Sequence, residues 1–249
     1  MNILQNISWW KNKPKIENEW SNLKPIDLIK IQSIDFPKEH YFQEEFTKTQ
    51  IVLHHTISGA GIEGDLSTWE ASKDRVSVAF IIDRAGTPWQ LFSSKFWAYH
   101  LAANNHDLDR HSIGIEIDNW GGLITGDGTI KMFGNPPKPV KTEMGKFYAY
   151  YGNPVAVPLQ YYPNGFRGYN YYEKYSRDQI QTVGELILYW KNKYNILIEY
   201  HDDMWNTSRN ALDGAPGIWT HVSYRLPSDK QDCHPAPDLI NMLKTLKDL

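Results

Sequence analysis

Between Ser176 and Tyr194, the residues Ile180, Val183, Ile187, Trp190 and Tyr194 recur at the spacing of one helix face. Ser176 stands three residues before Gln179, the spacing of a capping box, so a helix is predicted over 176–194. An amphipathic helix of this length must bury its stripe against an apolar surface. Short β-rich runs supply one. Gln50 to His54 reads as a central strand and Ser112 to Ile117 as another. Val76 to Asp83 and Pro88 to Phe92 read as a hairpin around Arg84-Ala85-Gly86. In the Ser112 run, Ile113, Ile115 and Ile117 share one face while Gly114 and Glu116 share the other. Further helices are predicted near Pro25 to Ile31, at Leu66 to Lys73 and from Pro237 to Leu249, with a short strand at Ile196 to Ile198. The alternation implies an α/β fold in a single domain, a mixed central β-sheet flanked by helices.

Composition shifts along the 249 residues suggest the organisation. Residues 1–48 are polar, aromatic and punctuated by Pro14, Pro25 and Pro37, and are read as an N-terminal arm packed on the domain. The body runs over 49–249, with a loop-rich insertion at about 119–175 dominated by Gly, Pro, Asn and Tyr. A stretch that long and turn-rich is functional or mobile. A formal net charge of -3 argues against nucleic acid as a partner. No run approaches the roughly 20 apolar residues of a membrane span. The first residues lack a basic start, an apolar stretch and a cleavage site, so no signal peptide is expected and synthesis is expected in the cytoplasm. The lone cysteine, Cys233, excludes an intrachain disulfide.

Three sets of residues carry possible chemistry. His54 and His55 end the apolar Ile51-Val52-Leu53 run, where a strand opens onto a cleft. His221 follows Trp219-Thr220, and Asp232 comes eleven residues later. Zinc takes imidazole nitrogen and carboxylate oxygen, with three protein ligands and one open position in catalytic sites. His54, His221 and Asp232 would satisfy that count. Alternatively, Asp232 caps the final helix region and Cys233 is a small core residue. Glu116, opposite the isoleucines, sits either in solvent or in a cleft.

The order and wording of these segments resemble the zinc-dependent N-acetylmuramoyl-L-alanine amidase family, which includes phage endolysins, cell-wall-recycling amidases and peptidoglycan-recognition proteins. The resemblance is carried by IVLHHT, SVAFIIDRAGTPWQLF, WAYHLAAN, SIGIEIDNWGG and THVSYRLPSDKQDCHP, over roughly residues 49–122 and 176–246. It implies the fold of that family and hydrolysis of the amide joining N-acetylmuramic acid to L-alanine. It implies a Zn2+ cofactor on His54, His221 and Asp232, the last two residues after Lys230 as in the family's Lys-x-Asp pattern. Cys233 and His234 intervene before Pro235, which leaves Cys233 as a rival third ligand. Glu116 matches the family's catalytic glutamate and Lys230 a lysine facing the substrate carbonyl. The tyrosine found in some members is replaced here by Val78. His55, His100 and Asn119 are the candidates for substrate contact, and Trp97 and Trp120 are read either as stacking surfaces or as core. The expected partner is bacterial peptidoglycan or muropeptides, bound by a monomer without membrane attachment. A phage endolysin acting on the wall after release is the expected setting. The alternatives are a non-catalytic peptidoglycan-binding module and a cytoplasmic muropeptide-recycling amidase.

Overall fold

The computed structural model describes residues 18–249. The earlier part of the 1–48 arm, including Pro14, lies outside them. The central sheet has six strands: β1 (Gln32–Ser33), β2 (Gln50–His55), β3 (Phe80–Ile82), β4 (Pro88–Gln90), β5 (Ser112–Ile117) and β13 (Gly217–Thr220). Their spatial order is β1-β4-β3-β5-β2-β13. β2 runs parallel to both neighbours, β5 and β13, and β5 runs parallel to β3. The β3–β4 hairpin is antiparallel, so the sheet is mixed. β2 is buried along its whole length, which explains its unbroken apolar start rather than an alternating pattern.

Five helices accompany the strands: α1 (Glu63–Ala71), α2 (His106–His111), α3 (Arg177–Tyr194), α4 (Arg209–Leu212) and α5 (Pro237–Leu246). α3 begins with the capping box anticipated from Ser176 and Gln179, both halves of which are made. Its stripe of Ile180, Val183, Ile187 and Trp190 is buried in the core, and Trp190 meets Phe80 of β3 edge-on at 5.1 Å between ring centroids. Gly184 lets α5 approach closely, since a Cβ there would stand 2.8 Å from Met242 Sδ. α3 ends at Asn195 in the left-handed conformation, φ 54°. None of the described helices is long and apolar enough to cross a membrane.

Residues 122–173 form more strand than their turn-rich composition implied. β6 (Gly122–Thr125), β9 (Phe147–Tyr148), β10 (Pro154–Val155), β11 (Leu159–Phe166) and β12 (Tyr169–Glu173) make a second sheet ordered β10-β9-β6-β12-β11, and β7 (Ile130–Phe133) pairs with β8 (Lys138–Lys141). Its core is aromatic, with Tyr148 and Tyr172 buried. Of the segment before β2, the described residues 18–49 pack on the body: Trp20 is buried, Ile26 N–H donates to Glu185 O, and β1 adds to the edge of the central sheet.

Two short elements differ from expectation. Pro25 to Ile31 holds a single 3₁₀ turn, Leu28–Lys30, capped by Asp27. Ile196 to Ile198 forms no strand. Ile196 and Ile198 are buried and Leu197 is exposed, so the alternation records side-chain packing of an extended chain, while the ladder contact falls later, at a Tyr200–Ile218 bridge. Ser176→Ala should cost about 1 kcal/mol of unfolding free energy by removing the α3 cap, measurable by urea denaturation.

Candidate active site

Three parallel strands deliver the chemistry to one edge. In register, His54 of β2 stands beside Glu116 of β5. Thr220 of β13 pairs with Leu53, so His221 emerges next to His54. The chain then loops back so that Val222 N–H donates to Asp232 O, which brings the Asp232 carboxylate onto the same point. His54 Nδ1 and His221 Nδ1 are 2.9 Å apart. Asp232 Oδ2 lies 2.8 Å from His221 Nδ1 and 3.4 Å from His54 Nδ1. All three side chains are buried, and their ligand atoms all fall within 4.8 Å of one another.

This donor set fits a divalent metal ion. Burial, reinforced by neighbouring His221, lowers His54 to about 4, so its ring presents a neutral, lone-pair-bearing nitrogen near pH 7. Asp232 is held well below the usual carboxylate range: burial opposes ionisation, but His221 and a hydrogen bond from its ring outweigh it. Among the described residues Asp232 Oδ1 is buried without a hydrogen-bond partner, a polar atom open to a ligand. Cys233 is turned away. Its Sγ lies 2.7 Å from the Tyr175 hydroxyl, and burial pushes its thiol up, against thiolate formation.

Beside this point lies a groove of about 640 Å³ lined by residues that include Glu116, Lys230, Gln231, Ser58, Asp65 and Trp120. Glu116 Oε2 is buried and has no hydrogen-bond partner among the described residues. Burial first, then the negative charges of Asp232 and Asp65, pushes Glu116 well above its ordinary range. The sequence candidates for substrate contact sit elsewhere. His100 is behind the histidines, with Nδ1 3.0 Å from His54 Nε2 and Nε2 2.8 Å from Ser112 Oγ. His55 Nδ1 meets the Tyr175 hydroxyl at 2.8 Å. Asn119 is buried, donating to Glu173 O and accepting from Gly121 N–H. None of these three is among the groove-lining residues. Trp97 is buried in a stack with Phe42 at 3.9 Å, whereas Trp120 does line the groove.

The groove rim is tied by an ion network that the sequence did not reveal. Arg84, from the β3–β4 turn, binds Asp118 at 2.5 Å and Glu173 at 2.9 Å, and donates to Ser58 O. Asp118 accepts from Gly61 N–H, and Glu173 accepts from Trp120 N–H. One guanidinium therefore joins the loop after β2, the end of β5 and the end of β12. Asp65, Trp69, Tyr150, Tyr151 and Asn153 also line the groove without having been anticipated. Tyr150 and Tyr151 carried one signal, an aromatic pair inside a turn-rich stretch; Asp65 carried none.

Asp65 yields a pH test. Burial lifts it from 3.8 to about 7, against the Ser58 hydrogen bond. The fold therefore favours its protonated form, and its contribution to stability declines as pH rises from about 4 to 7. Asp65→Asn removes that decline. The stability of the variant relative to the parent should rise between pH 4 and pH 8 in paired urea titrations.

The family model described as N-acetylmuramoyl-L-alanine amidase matches residues 46–235. No curated protein matches the chain. Similar solved structures include the endolysine N-acetylmuramoyl-L-alanine amidase LysCS from Clostridium intestinale URNW, 14% identical over 82% of this chain and 87% of that one, with a TM-score of 0.42. PlyL is 14% identical over 86% of this chain and 96% of its own, with a TM-score of 0.47. An AmpD derivative is 14% identical over 90% and 98%, also with a TM-score of 0.47. The family match takes in β2, Glu116, His221 and Asp232 together, and the chain belongs to the N-acetylmuramoyl-L-alanine amidases, hydrolases of the amide that joins peptidoglycan's sugar to its stem peptide.

Proposed function

We propose that this amidase is zinc-dependent, with His54, His221 and Asp232 holding the ion, and that Glu116 serves as general base and then general acid. The observation that carries the reading is the triangle of two imidazole nitrogens and one carboxylate oxygen with sides of 2.8 to 3.4 Å. Zinc, when bound, supplies Lewis acidity that acidifies water and polarises the amide carbonyl.

The protein's own groups do the remaining work. Glu116 takes a proton from the attacking water and passes it to the departing alanine nitrogen, which needs it because an amide nitrogen is a poor leaving group. Its burial favours the protonated state, and Oε2 has no competing partner within the fold. Lys230, on the groove wall, donates to the oxyanion that develops on the lactyl carbonyl, worth about 2–4 kcal/mol for one well-placed donor. His100 acts on His54 by holding its far nitrogen, and Tyr175 holds both His55 and Cys233. These contacts fix the segments that carry the ligands. The favoured setting is lysis of the intact wall by a phage enzyme. In support, the groove rim carries exposed side chains at Thr68, Tyr151 and Asp229, which suits a polymeric strand.

The test is release of N-terminal alanine from purified sacculi, run with and without a chelator and beside soluble anhydro-muropeptides. Glu116→Gln should keep zinc and lose about 10²–10⁴-fold in turnover. Asp232→Ala should lose zinc and activity together, while Cys233→Ala should keep the metal. Full activity in chelated enzyme would remove zinc from the reading. Cut stem peptide without free alanine termini would point to a peptidase instead. Faster turnover of the soluble substrate would favour recycling.

A further inference from the structure

The second sheet sends one turn into the groove. Between β9 and β10, Tyr150, Tyr151 and Asn153 line it. The turn's backbone is clamped from behind. Tyr148 is 2% exposed and Ala149 0%. The Tyr148 hydroxyl accepts from Glu143 N–H at 2.8 Å, Ala149 N–H donates to Asn153 O at 2.9 Å, and Gly152 N–H donates to Ala149 O at 2.8 Å. Gly152 has φ 84°, and a Cβ there would stand 2.6 Å from Val140 Cγ2, so only glycine fits the corner. On this fixed base Tyr150 and Tyr151 stand edge-on, 5.0 Å between centroids, and Tyr151 is 64% exposed.

Trp120 lines the same groove from a different element. Its indole lies over Gly59, where a Cβ would meet Cη2 at 3.1 Å, and the Trp120 backbone N–H donates to Glu173. Two rigidly mounted aromatic groups thus share one open space. The charged lining residues Asp65, Glu116, Asp229 and Lys230 all come from elements outside the second sheet. What the second sheet contributes is aromatic or amide and carries no charge.

This division selects between the two halves of the substrate. A stem peptide brings carboxylates and an amine, which need charged partners on desolvation. A glycan strand brings neutral N-acetylated pyranose rings, whose flat C–H faces match aromatic rings and whose amides match Asn153. We propose that Tyr150, Tyr151 and Asn153, with Trp120, form a subsite for the N-acetylated sugars that flank the reacting muramoyl unit along the glycan strand. The inference rests on reading the groove as the substrate site. It makes the turn a specificity element that favours polymeric wall over single muramoyl-peptides.

The test is calorimetric titration of the full chain with a β-1,4-linked N-acetylglucosamine tetramer and, separately, with a free stem pentapeptide. The parent should bind the tetramer. Y150A/Y151A should weaken that binding about tenfold or more and leave peptide binding unchanged, while Y150F/Y151F should stay within about twofold of the parent. Matching thermal melts confirm folding, and the single exposed-site variant Tyr151→Ala stands in where the double variant does not fold. Tetramer affinity unchanged in the alanine variants, a parent that ignores the tetramer, or parallel loss of peptide binding would each overturn the proposal. Hydrolysis is not read in this assay, so loss of the amidase mechanism would show separately, as absent alanine release from sacculi.

Discussion

Parallel pairing of β2 with both of its neighbours is the constraint on which the site depends. Parallel strands end at the same sheet edge, so whatever follows or closes them meets there. His54, Glu116 and His221 come from three such endings, and the register His54 to Glu116 sets that carboxyl group beside the first imidazole. A slip of one residue would turn Glu116 into the core and an isoleucine into the groove. The buried faces of β2 and β5 hold that register, because Ile51, Leu53, Ile113, Ile115 and Ile117 have nowhere else to go. Packing energy spent on the core therefore fixes the geometry of the polar cluster.

A second layer of polar contacts turns rough proximity into orientation. Imidazoles that are only close can rotate, and a bound ion needs them aimed. His100, itself held by the Ser112 hydroxyl, contacts the far side of His54, and Leu101 O stands 3.1 Å from His221 Nε2. Tyr175 holds the second histidine and the cysteine of the Asp-Cys-His run with one hydroxyl. Arg84 does the equivalent for the rim, where a half-buried guanidinium satisfies two carboxylates and a carbonyl at once. Removing Arg84 would leave Asp118 and Glu173 as buried charges without a partner, so the rim depends on it more than its surface position in the hairpin turn implies.

Much of this was legible in the residues themselves. The α3 stripe and the alternation in β5 follow from local periodicity, because burial of one face imposes it, while the α3 capping box, the apolar run of β2 and the turn of the β3–β4 hairpin are read from residue type. α1 lies a few residues earlier than its apolar residues implied, since its first turn, Glu63 to Asp65, is polar. β13 left no strand signal: four residues ending at Thr220 are too few to show a period, and only the pairing with β2 makes them a strand. The second sheet was hidden for another reason. Its longest strands are half-exposed and rich in tyrosine, asparagine and glycine, so its turn residues dominate any reading of composition.

What the sequence alone determined is the chemical cast and the elements that carry it: the histidine pair closing an apolar strand, the glutamate opposite three isoleucines, and the carboxylate two residues past a lysine. Their family wording is local and survives without coordinates. Tertiary structure decided which of them meet. It put Asp232 rather than Cys233 against the two imidazoles, and placed His55, His100 and Asn119 outside the groove lining, in contact with Tyr175, His54 and Glu173 respectively. It also brought Asp65, Trp120 and the Tyr150–Tyr151 turn to its walls. The physical reason is that side-chain direction at a loop or strand end depends on what packs behind it. That packing comes from residues distant in the sequence, 46 positions apart for His54 and His100 and 120 for His55 and Tyr175.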